Sequence, residues 1–146
     1  RTPVNAAGGS MIGSAVGGSV ARSLPADFDV AAFERNAKVN FIRLQAANDA
    51  GNLDDIRGFT TPEMFAELQM DLRERAGATQ TTEVMTVEAD VTDVTEEDQR
   101  YVVSVRFTGT LREDGAQTTS FDEVWHLTKP RQGNAGWVLA GIQQVQ

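Results

Sequence analysis

The chain contains no cysteine and only one histidine, His126. The absence of cysteine excludes disulfides, thiolate metal sites and cysteine nucleophiles. With a single histidine as well, the ligand spacing typical of a zinc site cannot occur. We therefore predict neither a metal site nor a cofactor. The absence of cysteine does not identify the cellular compartment, because cysteine-free chains are compatible with either redox environment.

Basic residues are few, and long apolar runs are missing. The chain contains 13 Lys and Arg and 21 Asp and Glu, which gives a net charge of −8. A domain this acidic lacks the basic surface of a nucleic-acid-binding protein and is repelled, on average, by anionic lipid. No run approaches the roughly 20 apolar residues of a membrane span. Because the chain starts at Arg1 without a methionine, we expect it to be a fragment or a processed product.

The length of 146 residues and the hydrophobic fraction of 40% suit a single globular domain. Residues 1–26 are rich in Gly, Ser and Ala, which is typical of a linker, and we place the domain at residues 27–146. One competing signal exists in the linker. Ile12, Val16, Val20 and Leu24 recur every four residues, as on one face of a helix, although the glycines weaken such a helix unless it docks.

The first half of the domain predicts helices. Asp27 or Asp29 can cap the first helix, and its apolar stripe recurs at spacings of three and four until Gly51. A short helical turn follows. Thr61 then caps a third element, with Pro62 at the first helical position. The stripes consist of Phe33, Ala37, Phe41 and Leu44 in the first helix and of Met64, Phe65, Leu68 and Leu72 in the last.

The second half predicts four strands. "EVMTVEADV" alternates, with Met85, Val87 and Ala89 on one side, and "RYVVSVRFTGTL" alternates likewise. Asp114-Gly115 is the strongest hairpin signal, and "TSFDEVWHLTK" and "WVLAGIQQV" complete the set. Short turns favour antiparallel neighbours. We therefore predict an α+β fold, with the N-terminal helices packed on one face of a curved four-stranded antiparallel sheet.

Several of these segments together resemble a known family. "VNFIRLQAANDAGNLDDIRGFTTPEMFAELQMDL" resembles the helical half of the Tim forty-four-like (Tim44-like) domain. "FDEVWHLTKP" followed by "GWVLAGIQQV" is similar to its closing strands. The resemblance extends from about Phe28 to Gln146 and implies a cone-shaped domain of the nuclear-transport-factor-two-like class.

The resemblance also implies a function. The mitochondrial family member is a peripheral inner-membrane subunit of the presequence translocase, and bacterial relatives carry an N-terminal anchor and a linker before this domain. We therefore expect a non-catalytic, membrane-associated domain that binds a protein partner or a lipid-like ligand. The relatives imply an inner-membrane location with the domain on the cytoplasmic side. An exposed sheet face is also compatible with a homodimer.

The expected binding site is an apolar cavity between helices and sheet. Its candidate residues share the inward faces of their elements: Phe33, Phe41, Phe65, Phe107, Glu123, Trp125 and Leu139. Trp137 either belongs to the core or lines the same cavity with Trp125.

Two residues of "FDEVWHLTKP" raise the question of catalysis. His126 lies on the strand side opposite Trp125, and Asp122 is four residues away, too far along a strand for a direct pair. We interpret His126 as structural. Glu123 lies on the apolar side, where an unpaired carboxylate is costly. It is either bonded structurally or, in the alternative function, the acid/base of a small enzyme with the same fold.

Overall fold

The computed structural model describes residues 28–75 and 80–145. Three helices come first, followed by four strands that form one sheet in the order β1-β2-β3-β4, with every neighbouring pair antiparallel. This confirms the predicted α+β fold with helices first. The sheet is not closed, and the expected cone shape is not confirmed. The elements are α1 (Val30–Ala50), α2 (Leu53–Gly58), α3 (Pro62–Glu74), β1 (Thr82–Glu96), β2 (Arg100–Glu113), β3 (Thr119–Pro130) and β4 (Val138–Gln144).

The predicted linker, residues 1–26, and Asp27 lie outside the described residues. Within the described part of the chain, no helix is both long enough and apolar enough to cross a bilayer.

The ends of the helices follow from their capping residues. Asp29, Asn52 and Thr61 each accept a hydrogen bond from the backbone N–H three residues further on, at 3.1 to 3.2 Å. Such bonds satisfy N–H groups that the helix itself leaves without a partner. Pro62 occupies the first helical position of α3. Gly51 ends α1 in the left-handed conformation, with φ of 67°.

An aromatic core fills the space between α1 and the sheet. The ring of Phe41 lies 4.8 Å from Phe107, 5.0 Å from Phe121 and 5.3 Å from Trp125, measured between centroids. Phe41, Phe107 and Trp125 are at most 1% exposed. Buried aromatic side chains contribute more to a core than any other residue type, so this cluster anchors the helices on the sheet.

The side-chain alternation along β1 differs from the simple prediction. The pairing with β2 is irregular between Val84 and Thr86 and again between Val91 and Asp93. Each irregularity inserts a residue and moves the following side chains to the other face. As a result Met85, predicted to face the helices, is 48% exposed, whereas Val84 packs against the core.

Two side chains of α1 reach across to β1, the first strand in the sheet order. Glu34 Oε2 accepts a hydrogen bond from the backbone N–H of Val91 at 2.9 Å. One turn later, Lys38 forms an ion pair of 3.6 Å with Glu88. These contacts fix α1 against the edge of the sheet that lies opposite β4.

Candidate ligand-binding groove

A pocket of about 300 Å³ opens between the N-terminal half of α1 and the ends of β3 and β4. This volume lies at the lower end of the range for small-molecule sites. Three of the predicted residues, Phe33, Trp125 and Leu139, are among those that line it. The others are Asn36, Ala37, Val39, Asn40, Phe59, Leu127 and Trp137.

Backbone pairing places Phe59 beside this pocket. Leu139 N–H donates to the carbonyl oxygen of Phe59, and Thr61 N–H donates to the carbonyl oxygen of Leu139, both at 2.9 Å. The segment after α2 thus runs alongside β4 as a short parallel bridge. This pairing turns the Phe59 ring towards α1, where it forms one wall of the pocket.

The opposite wall is an aromatic cluster. Phe33 and Trp137 meet edge to face, with centroids 5.2 Å apart and planes at 81°. Phe28 packs on both rings, at 5.2 Å from Phe33 and 6.3 Å from Trp137. A second depression on the other side of this cluster shares Phe33, Asn36 and Trp137 with the pocket and reaches Lys129. We call the pocket and this depression together the aromatic groove.

Two other predicted site residues lie beneath the groove. Phe41 and Phe107 pack on each other and on Trp125, within the core. Because their rings fill the space between helix and sheet, the opening is confined to the end of the sheet where Phe33 and Trp137 meet. Trp125 connects the two regions, since it contacts the core rings and also lines the pocket.

Phe65 lies apart from the groove. It projects from α3, is half-buried, and stacks beneath the Arg57 guanidinium at 4.5 Å from the ring centroid. A guanidinium over an aromatic face is a favourable contact at a partly exposed position. This contact gives Phe65 a role in joining α2 to α3.

Glu123 has two hydrogen-bond donors. Trp125 Nε1 donates to Glu123 Oε2 at 2.7 Å, and Gln144 Nε2 donates to Glu123 Oε1 at 3.1 Å. The Trp125 side chain is 1% exposed, so its N–H needs an acceptor inside the protein. These bonds account for a carboxylate on the apolar side of β3. Glu123 does not line the pocket.

His126 lies on the opposite face of the sheet. Its Nδ1 is 2.8 Å from Ser104 Oγ, and its Nε2 is 3.4 Å from Gln143 Oε1. Asp122, on the same face, instead receives two hydrogen bonds from Arg106, one of them at 2.8 Å. These hydrogen bonds, opposed by partial burial and aided by charge attraction, lower the pKa of the Asp122 carboxyl.

The chemistry of the groove is that of a binding site for apolar groups. Aromatic and aliphatic side chains form its walls, and the amides of Asn36 and Asn40 supply hydrogen-bonding groups at its edge. Across residues 28–75 and 80–145 no cluster of His, Asp and Glu has the arrangement of a metal site.

Sequence reasoning identified Phe33, Trp125 and Leu139 but missed Phe28, Phe59 and Val39. Phe28 precedes the first helix, and Phe59 follows the second, so neither takes part in a periodic stripe. Val39 lies off the buried stripe of α1 and is 63% exposed. Val39 could have been identified from the sequence because it is an apolar residue on an otherwise polar face of α1.

Comparison with protein-family models identifies the family of this chain. A protein-family model described as the Tim44-like domain matches residues 14–144, which is well over half of the chain. The match includes all seven described helices and strands and begins inside the Gly/Ser/Ala-rich stretch. A search of curated proteins finds no match.

Proposed function

Because this chain belongs to the Tim44-like domain family, we propose that it is a non-catalytic domain that binds an apolar segment of a protein partner in the aromatic groove. Membership of the family points to a role associated with a protein translocase. The observation that carries the proposal is the wall formed by Phe28, Phe33 and Trp137, which leaves aromatic surface open beside a filled core.

The dimensions and polarity of the groove favour a peptide segment as its occupant. About 300 Å³ accommodates one or two large apolar side chains. Asn36 and Asn40 offer amide donors and acceptors to the backbone of such a segment. The net charge of −8 opposes a surface of anionic lipid, which makes a lipid chain the weaker candidate.

The hydrogen bonds of Glu123 support the proposal that this domain is not an enzyme. Its two oxygens accept hydrogen bonds from Trp125 and Gln144, and the residue lies outside the pocket lining. A general base must reach a substrate proton in a concave site. We accordingly assign Glu123 to the support of Trp125 and assign binding to the groove.

The proposed setting is the cytoplasmic face of an inner membrane. By resemblance to anchored bacterial relatives, the full-length protein would be held there by sequence outside this chain. The domain itself would then act as the part that contacts a translocating or translocase protein.

Titration with an uncharged apolar fluorescent dye tests the binding site. Val39→Asp places a carboxylate at the groove, whereas Met70→Asp makes the same change at a similarly exposed position on α3. We expect Val39→Asp to weaken dye binding about tenfold, a loss of about 1.4 kcal/mol. Met70→Asp and Ile42→Asp, which lie outside the groove, leave binding unchanged. Equal affinity in all four proteins would reject the groove as the site.

Flotation with cardiolipin liposomes at low and high salt separates the two ligand classes. If the ligand is a protein, we expect the chain to stay at the bottom of the gradient at both salt concentrations. Flotation that persists at high salt and is lost in Val39→Asp would instead identify a lipid chain as the occupant, because apolar insertion is not screened by salt.

A further inference from the structure

Lys129 places a positive charge in the aromatic groove. Its side chain is partly buried and lines the second depression together with Phe33 and Trp137. Arg100 and Arg131, at the same end of the sheet, form ion pairs of 2.8 and 2.7 Å with neighbouring glutamates. Lys129 forms no ion pair with any residue that the structure describes. The groove therefore contains a cation that the described part of the domain does not neutralise.

The position of Lys129 follows from the alternation along β3. Trp125, Leu127 and Lys129 are two residues apart, so their side chains share the side of the sheet that faces the helices. Trp125 and Leu127 line the pocket, and Lys129 continues the same row into the depression. A lysine in such a place packs its methylene groups on apolar surface and keeps its ammonium group at the open edge.

The acidic residue that shares the depression with Lys129 is engaged elsewhere. Asp29 accepts a hydrogen bond of 3.1 Å from the backbone N–H of Ala32 and caps α1. The positive end of the α1 dipole offsets its charge. The other acids that make up the net charge of −8 act weakly on an occupant if they lie more than about 8–10 Å away, because salt screens them. The ammonium group of Lys129 is thus left to interact with an occupant of the groove.

We infer that Lys129 makes the groove selective for a peptide segment in which an aspartate or glutamate side chain flanks a large apolar residue. The apolar side chain fills the pocket, and the carboxylate pairs with Lys129 in the depression. The groove opens on both sides of the Phe33–Trp137 contact, so a chain passes along it, which favours a side-chain carboxylate over a terminal one. This inference rests on the proposed function and specifies the partner of the same site.

Competition between short peptides and the uncharged dye tests the inference. Three peptides, capped at both ends, contain the same two leucines followed by glutamate, glutamine or lysine. We expect the glutamate peptide to displace the dye at about threefold lower concentration than the glutamine peptide, as for a partly exposed ion pair. The lysine peptide should need a higher concentration than either. The glutamine peptide measures the groove without the charge, which separates the proposed function from the role of Lys129.

Variants of Lys129 assign the preference to this residue. Lys129→Gln should remove it, and Lys129→Glu should reverse it in favour of the lysine peptide. Arg73→Gln is the matched control, because Arg73 is exposed on α3 and its loss changes the net charge equally. We expect Arg73→Gln to keep the preference for the glutamate peptide.

Several results would overturn the inference. Equal displacement by the three peptides, or a preference that persists in Lys129→Gln, would show that Lys129 does not select the occupant, even if the groove binds the dye. Failure of every peptide to displace the dye would have the same meaning. Flotation with cardiolipin liposomes that is lost in Lys129→Gln would make an anionic lipid the occupant. Dye binding that Val39→Asp leaves unchanged would reject the groove and this inference together.

Discussion

The indole Nε1 of Trp125 donates a hydrogen bond of 2.7 Å to Oε2 of Glu123, two residues earlier on the same strand. Side chains two residues apart on a strand share a face, which allows the contact within β3 itself. The bond gives the buried indole an acceptor and holds the ring between the core and the groove. Glu123, a carboxylate on the apolar side of β3, therefore helps to position the Trp125 ring.

Removal of this acceptor should destabilise the fold. Glu123→Ala leaves the buried Trp125 N–H without a partner, and we expect a loss of about 1–3 kcal/mol in the free energy of unfolding. Glu123→Gln retains an oxygen acceptor and should lose less. Urea unfolding of the three proteins measures both differences. Full stability in Glu123→Ala, or lost dye binding in a fully stable Glu123→Gln, would refute the structural role.

The core and the groove should respond differently to truncation. Phe41→Ala removes a ring that is 1% exposed and contacts three other aromatic rings, so we expect a loss of about 3–5 kcal/mol. Phe33→Ala removes a half-buried ring at the groove and should cost less stability while weakening dye binding. Urea unfolding and dye titration distinguish the two. Equal stability losses would contradict the division between core and groove.

The sequence predicted the elements best where local patterns determine them. The stripe of α1 identified Ala37, Phe41 and Leu44 as buried, because burial of one helix face follows directly from the helical period. The cap at Thr61 was predicted, and Asp29 was one of the two candidates for the first cap, because a cap depends only on residues within one turn.

Long-range contacts explain what the sequence did not predict. The inward position of Val84 arises from an irregularity in β1 that depends on its pairing with β2. The meeting of Phe28, Phe33 and Trp137 joins the first helix to the turn before the last strand. The inward faces of α1 and β2 were therefore predictable, but the inward face of β1 and the division between a filled core at Phe107 and an open groove at Trp137 were not.

The ion pair on the outer sheet face should make stability depend on pH. Arg106 lowers the pKa of Asp122 below its ordinary value of 3.8, mainly through hydrogen bonds. Since the pKa is lower in the folded state, the stabilisation is fully present above 3.8 and is lost as the pH falls through the folded value. Asp122→Asn should therefore be less stable than the parent at neutral pH, with a difference that shrinks below pH 3.8.

Unfolding curves at several pH values measure this difference, and Asp98→Asn, in the exposed turn between β1 and β2, serves as the control. A stability difference between Asp122→Asn and the parent that stays constant down to acid pH would contradict the assignment.

The close approach of β1 to β2 requires glycine at position 109. A Cβ added to Gly109 would lie 2.1 Å from the carbonyl oxygen of Thr86, and this backbone atom has no freedom to move aside alone. We expect Gly109→Ala to cost about 1–3 kcal/mol in thermal or urea unfolding. Gly136→Ala is the matched control, because a Cβ there meets no atom within 4 Å. A fully stable Gly109→Ala would show that the strands separate easily at this point.

Binding of an apolar segment of a protein partner in the aromatic groove can be measured by site-specific photo-crosslinking in the native membrane fraction, with the crosslinker placed at Val39 in the groove or at Met70 on α3. We expect a discrete, protease-sensitive adduct from Val39 that Phe33→Ala weakens, and no such adduct from Met70. Identical products from both positions, or only lipid adducts from Val39, would show that the groove does not hold a protein segment.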